Sequence, residues 1–519
     1  MSTVELLVGL LAVIALLGVV ADRSGLPYPA VLVLGGIVLG MLPGLPDYRL
    51  HPKLVLLGFI PVLVYAAAFR AASFDLRRYA LHIISLATGF VLLTVLAEGA
   101  AAHLIGAISW APAFVAGALA APTDPVSATA VISHVGAPEQ IVTVLEGESL
   151  INDGTGLAVY QVAVSAVSGG FSIGHAAIRL LEISAGGVAA GAAVGWILVR
   201  IRRPLDSPSI EIVLGLLAAY GSYIAALSAG FSGVLAAVSA GIYTGMHGQD
   251  ISSPQSRLRM EPVWDAATFV LESVLFLLIG LQLRRIVSGL PPGHLTQTIL
   301  TAGTSVIVVI ALRFTWMLGV APMLARISPM EDQPTSRRGF VVMSWSGMRG
   351  ALSLAGALSI PLTSGGRLFP ARDEVIFLVY CVVLGTLIIP SLTLERLIRR
   401  LGLGQSQQLR EQELKTRARV AHAALSRLEE MAEENDVPEE LLSRFRGIYE
   451  LRLSRLEGER SDDKSDDGSD IDVSRAQNLR HQLVLAQRRA LDEIRQERAA
   501  ATEIISRIQH DIDLEEARR

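Results

Sequence analysis

Cysteine is almost missing from this chain: its single example, Cys381, lies in an apolar run. Neither a disulfide framework nor a thiolate metal site is therefore available. A basic surplus is missing too. The formal net charge is -4 and the isoelectric point is near 6.2, so no domain-wide positive surface exists to hold nucleic acid. The sequence offers no activated nucleophile, metal cluster or phosphate-binding loop, which argues against an enzyme and for the absence of a cofactor. Charge of either sign is scarce in the first 400 or so residues, and this scarcity leaves long uninterrupted apolar segments.

These segments dominate the chain, which is 51% hydrophobic with a mean hydropathy of +0.49. Each runs for about 20 residues, the length a helix needs to cross hydrocarbon. The first, Val4 to Val20, lacks a basic leader and is followed at once by further spans, so it reads as a transmembrane helix and not as a cleaved signal. Windows bounded by charge, Pro or Gly fall at 3–21, 28–44, 54–70, 81–106, 109–133, 139–167, 176–199, 209–227, 230–246, 263–283, 297–325, 338–362 and 374–395. The expected fold is an all-α polytopic membrane protein of about thirteen spans, with a membrane domain over 1–400 and a soluble helical tail over 401–519.

Orientation follows from the basic residues of the short loops. One set of loops holds Arg23, Arg70, Arg77, Arg78, Arg202, Arg203, Arg257, Arg259, Arg326, Arg337 and Arg338, and the other only Arg49, Lys53, Arg284, Arg285, Arg367 and Arg372. The richer set and the tail beginning at Arg396 belong in the cytoplasm, which matches an odd span count and places the chain in the cell membrane among lipid. Within the tail, Val420, Ala424, Leu428 and Met431, then Leu442, Phe445, Tyr449 and Leu456, recur at helical spacing. The acidic, Ser- and Gly-rich stretch at 458–472 has too few apolar residues to fold and reads as a disordered linker. A final helix is expected over 474–511, with Val484, Leu491, Ile494 and Ile505 near one face.

An ionisable group at the centre of a span costs about 2.5 to 3.5 kcal/mol on insertion scales, so each one calls for an explanation. In the fifth span, Asp124 stands between Thr123 and Pro125. Proline removes a backbone donor and disfavours helix at the residue before it, so the helix breaks there, and freed carbonyls, the Thr123 hydroxyl and a carboxylate converge at membrane depth. In the sixth span, Glu148, Ser149, Asn152 and Asp153 form one polar stretch in which Ser149 and Asp153 share a face. Such oxygen donors suit a hard monovalent cation and not a transition metal. In the twelfth span, Arg349 is held between Gly347 and Gly350 and needs an acid; Glu148 is the expected partner. Glu272 and Arg313 read as structural or pathway-lining charges outside the core site.

The succession of TDP in the fifth span, ESLINDG in the sixth and SGMRGA in the twelfth resembles the monovalent cation:proton antiporter-1 family, the sodium/proton exchangers. The likeness extends over residues 5 to 400. It implies two inverted repeats whose broken fifth and twelfth helices cross at the ion site, and a homodimer with a dimerisation domain beside a moving core. It also implies that Asp153 is the shared acceptor of sodium and proton, with Asp124, Ser149 and Thr123 as further sodium ligands. Asn152 then corresponds to a residue that tethers Thr123, and Glu148 with Arg349 to a buried ion pair. Where several relatives carry a glutamate in the third span, this chain has Tyr65. The neutral Asn152 stands where electrogenic relatives carry a second acid, which implies electroneutral exchange of one proton per cation. Potassium/proton exchange and a passive cation channel are the competing readings, the latter lacking any selectivity-filter repeat.

Overall fold

The computed structural model describes residues 3–42, 55–71, 79–167, 169, 173–203, 207–251, 254–290, 295–327, 336–403, 407–433, 438–457, 473–496 and 502–517. They form two compact units, one comprising residues 1–205, 209–251 and 263–404, the other 206–208, 252–262 and 405–519.

Among the described residues, the first unit consists of helices, the breaks and loops between them, and one short hairpin. Its helices, counting α9 and α11 here although Pro208 and residues 254–262 fall in the second unit, are α1 (Thr3–Ser24), α2 (Tyr28–Met41), α3 (Val55–Ala71), α4 (Ala80–Leu104), α5 (Trp110–Ala120), α6 (Val126–Val135), α7 (Glu139–Val167), α8 (Ile173–Arg202), α9 (Pro208–Ser228), α10 (Gly233–Ile251), α11 (Pro254–Leu281) and α12 (Leu283–Ser288). They continue with α13 (Leu295–Thr315, extended through wider turns at Trp316–Val320 into Ala321–Ile327), α14 (Arg337–Trp345), α15 (Ala351–Leu358) and α16 (Arg372–Leu401). All thirteen apolar windows are occupied by helix. Six of these helices are long and apolar enough to cross a bilayer. Those that fall short are instructive, because α7 carries Glu146, Glu148 and Asp153 and the fifth and twelfth windows are each broken into two short pieces.

The interior is apolar, but so is the outer face, and several charged groups lie within. Leu16, Val38, Ile178 and Ile307 are each more than 60% exposed, whereas Glu98, Glu148, Asn152, Arg313 and Arg349 are sealed inside. An outward apolar face with polar groups within is the distribution that lipid as solvent demands. Close crossings depend on small residues: a side chain on Gly280 of α11 would collide with the Val33 carbonyl of α2.

Two buried ion pairs tie the helices together. Arg202 of α8 holds Glu211 of α9 through Nε at 2.7 Å. Deeper, Arg313 of α13 grips Glu148 of α7 with both terminal nitrogens, at 2.5 and 2.8 Å, and its Nε donates to the Met343 carbonyl at 3.1 Å. This corrects the expected pairing of Glu148 with Arg349. The fork of a guanidinium fills a carboxylate in bidentate fashion, and the long Arg313 side chain supplies that fork from α13. The linkage of α15 to α16 is equally specific. Thr363–Ser364 (β1) pairs antiparallel with Arg367–Leu368 (β2) across Gly365 and Gly366, both of positive φ as a tight two-residue turn requires. Arg372 at the start of α16 donates to the carbonyls of Ile360 and Leu358 at 2.9 and 3.4 Å.

The second unit carries α17 (Gln407–Glu433), α18 (Glu439–Glu457), α19 (Val473–Gln496) and α20 (Thr502–Ala517). Ala424, Leu428, Met431, Leu442 and Tyr449 pack in one cluster, and Val420, Val484, Leu491, Ile494 and Ile505 in another. The single final helix expected over 474–511 is two helices, α19 and α20. The acidic linker at 458–472 lies outside the described residues, as do Arg49, Lys53, Arg77 and Arg78.

The Glu148–Arg313 pair makes a direct prediction. Breaking a buried pair by removing one partner costs about 3 to 5 kcal/mol, because a charge is left stranded. Glu148→Gln and Arg313→Gln are each expected to lower the melting temperature of the detergent-solubilised protein or abolish its folding, and the double replacement to recover much of the loss; additive losses would show that the two residues act independently.

Candidate ion-binding site

The site is built where two helices are interrupted. Between α5 and α6 the segment 121–125, with prolines at 122 and 125, leaves helical geometry. Asp124 begins α6 by accepting the Val126 N–H on Oδ1 at 3.0 Å. Between α14 and α15 the chain is again extended, over 347–350. The two breaks touch: the Asp124 N–H donates to the Met348 carbonyl at 2.8 Å. Each break thus supplies the backbone partner that the other lost from its own helix. Glycine is required at 350, since a side chain there would overlap the Asp124 carboxylate. The second break is also pinned from outside, by the Arg349 N–H donating to Thr386 Oγ1 of α16 at 3.1 Å.

Helix α7 meets this crossing with two adjacent polar faces. Glu148 and Asn152, four residues apart, face Thr123. Asn152 Nδ2 donates to Thr123 Oγ1 at 2.6 Å, the tether the resemblance implies, and Thr123 Oγ1 donates to Glu148 Oε1 at 3.1 Å. With Arg313 added, this becomes a directed chain from Asn152 through Thr123 to Glu148, closed by a guanidinium. Ser149 and Asp153 occupy the neighbouring face. Among the described residues no side-chain hydrogen bond restrains either of them.

Ser149 and Asp153 open instead into a cavity of about 110 Å³, which Thr123, Asp124, Glu272 and Gly350 also line. One water needs about 10 to 15 Å³ of such volume, so the cavity has room for a cation that keeps some of its waters. Its acids are Asp124, Asp153 and Glu272. Four residues singled out from sequence, Thr123, Asp124, Ser149 and Asp153, therefore come together, and Asn152 and Glu148 stand behind them.

Three placements differ from the sequence reading. Glu272, set outside the core, faces the same cavity from α11. Arg313, also set outside, is the counter-ion of Glu148. Tyr65 does not reach the cavity. Ile60, Leu63, Val64 and Ala67 present the cavity-facing side of α3, and Tyr65 lies off that stripe, with its hydroxyl bonded to Thr244 of α10 at 2.8 Å and its ring 5.7 Å from Trp264. The helical period of α3 would have shown this once one lining residue was known. For Glu272, the available signal was its own cost, an acid in the middle of an apolar span.

Residues 9–400 match the family described as sodium/hydrogen exchanger, transmembrane. The chain is 32% identical over 548 residues to an uncharacterized Na+/H+ exchanger of Escherichia coli, covering 97% of this chain and 96% of the relative. It is 30% identical over 518 residues to another from Mycobacterium tuberculosis, covering 98% and 95%. Among solved structures, the sodium proton antiporter MjNhaP1 from Methanocaldococcus jannaschii superposes with a TM-score of 0.61 at 18% identity, over 77% of this chain and 98% of that one. Crossed helix breaks, buried acids and the extent of these matches lead to one conclusion: the chain belongs to the sodium/hydrogen exchanger family of membrane transporters.

Proposed function

We propose that this chain exchanges sodium for protons by alternating access, with the two ions competing for the carboxylate of Asp153. The observation that carries this reading is the cavity at the crossing of the breaks, where Asp153 meets Asp124, Ser149, Thr123 and Glu272. Carboxylate and hydroxyl oxygens are the donors a hard cation prefers once part of its water is removed. Asp153 and Ser149 have no competing hydrogen bonds, whereas Thr123 keeps one lone pair for the cavity after its bonds to Asn152 and Glu148. Asp124, fixed by the Val126 N–H, acts as a preset ligand, and Asp153 as the group that changes occupant.

Competition for one acid is the coupling. An empty cavity with several ionised carboxylates is expensive to carry through the membrane centre, so only the cation-loaded and protonated forms interconvert between inward and outward states. The neutral Asn152, engaged with Thr123, leaves Asp153 as the one acid at this point of α7 and supports an electroneutral exchange. The protein acts as a homodimer in the cell membrane with its tail, residues 401–519, in the cytoplasm. Relatives support the ion assignment: proteins from Aphanothece halophytica and Synechocystis that are 30% and 31% identical are named Na+/H+ antiporters. Potassium is the second reading, favoured by a Bacillus pumilus relative, 31% identical over 405 residues, named as a sodium, potassium, lithium and rubidium/H+ antiporter.

Asp153→Asn is expected to abolish cation-dependent proton movement in everted vesicles while the protein remains folded; exchange retained in that variant would overturn the assignment. Glu272→Gln removes one cavity charge but no fixed ligand, and should raise the apparent KM for sodium several-fold with a smaller change in maximal rate. Proteoliposomes offered sodium, lithium or potassium, with proton flux followed by a pH-sensitive dye, distinguish the two ion readings.

A further inference from the structure

Two more ionisable side chains are sealed in the membrane unit away from the cavity, and the exchange cycle uses neither. Glu98 lies on α4 and Arg349 at the second break, both without solvent exposure. Among the described residues, neither carboxylate oxygen of Glu98 and no guanidinium nitrogen of Arg349 has a hydrogen-bond partner. Arginine keeps its proton in any protein setting, so Arg349 requires a negative charge nearby.

The charged groups in electrostatic reach of Arg349 are Arg313, Glu148 and Glu98. Glu148 is already occupied, with Arg313 on both oxygens and Thr123 on one of them. Glu98 is the acid that remains. Helix packing places it on the same neighbour, α13. The Arg313 guanidinium sits over the Phe90 ring at 5.6 Å, and Gln297 Nε2 donates to the Ile105 carbonyl at 2.9 Å. These contacts fix α4 and α13 as antiparallel neighbours and set Glu98 beside the Ser305 hydroxyl, a neutral group that cannot balance its charge. From the other side, Gly347 is pressed against the Arg313 side chain, so the segment that carries Arg349 rests on α13 as well. The helix of Glu98 and the segment of Arg349 thus both rest on α13, whose own arginine is already balanced by Glu148.

We propose that Glu98 is the counter-charge of Arg349 and a positioning residue for the second break, forming with it a buried acid–base couple parallel to Glu148–Arg313. Two acids then balance two arginines behind the ion cavity. The break that Arg349 occupies presents the Met348 carbonyl to Asp124, so Glu98 acts on the cavity through the shape of that break and through the net charge behind it. Removing the acid alone leaves an unbalanced positive charge behind the cavity and weakens cation binding.

The test uses the full chain with Glu98→Gln, Glu98→Asp, Arg349→Gln and the Glu98→Gln/Arg349→Gln pair. Two measurements are made: the melting temperature in detergent, and sodium-driven proton movement in proteoliposomes. Glu98→Gln should lower the melting temperature by several degrees and raise the apparent KM for sodium several-fold. Glu98→Asp, which keeps the charge, should stay near the parent, and the double replacement should recover the melting temperature. Parent-like melting and KM in Glu98→Gln, or a double variant that loses as much as both singles together, would overturn the proposal. Should Glu98→Gln fail to fold, recovery of folded protein in the double variant supports the pair and continued failure refutes it. The transport measurement rests on the exchange reading, whereas melting does not. A parent that moves no protons with sodium therefore refutes that reading and leaves the melting test of Glu98 intact.

Discussion

The hydrogen bond from the Asp124 N–H to the Met348 carbonyl is the contact on which the membrane unit is organised. In hydrocarbon an interrupted helix is ruinous unless its freed backbone groups find partners. Here two interruptions solve each other's problem by crossing. The consequence is chemical as well as structural. The start of α6 and the start of α15 bring partial positive ends to the crossing, and the last turns of α5 and α14 bring partial negative ones. Acids can be kept there at a cost the fold tolerates, and Asp124 is fixed by the N–H that opens α6.

Behind that crossing, polar residues have divided into those that hold and those that are free. Asn152, Thr123, Glu148 and Arg313 form a chain in which nearly every donor has an acceptor. Ser149 and Asp153, one helical face away, have no side-chain hydrogen bond among the described residues. A hydrogen-bonded network is rigid and expensive to disturb, and it backs the face of α7 on which Ser149 and Asp153 open into the cavity. The same α7 sequence, ESLIND, encodes both by a rotation of one residue, from 148 and 152 to 149 and 153.

Much of this was legible in the sequence. The thirteen windows fall on helix because apolar length is a strong signal, and the break at Asp124 was readable from Pro125. The four residues that come together at the cavity were each marked by the cost of placing them in a span. Pairing was not legible. Arg313, Arg349 and several acids within the spans can be picked out from the sequence, but which guanidinium meets which carboxylate depends on helix packing, and Arg313 reaches Glu148 through an arrangement of α7 and α13 that no local pattern records. Tyr65 illustrates the same point: its alignment with an acid in relatives says nothing of its direction, which the face of α3 determines. In the tail the apolar spacing revealed the packed faces but not the division between α19 and α20, because the helical period runs on through it.

The short helix α15 is fastened to α16 at both ends. At one end the Arg349 N–H is held by Thr386, and at the other Arg372 grips the carbonyls of Leu358 and Ile360. Between them the β1–β2 hairpin satisfies its own backbone and leaves no slack. A helix of eight residues bound in this way to one of thirty has no independent hinge. It is a splint. A displacement of the second break would therefore carry with it α16, the helix that leads into the tail.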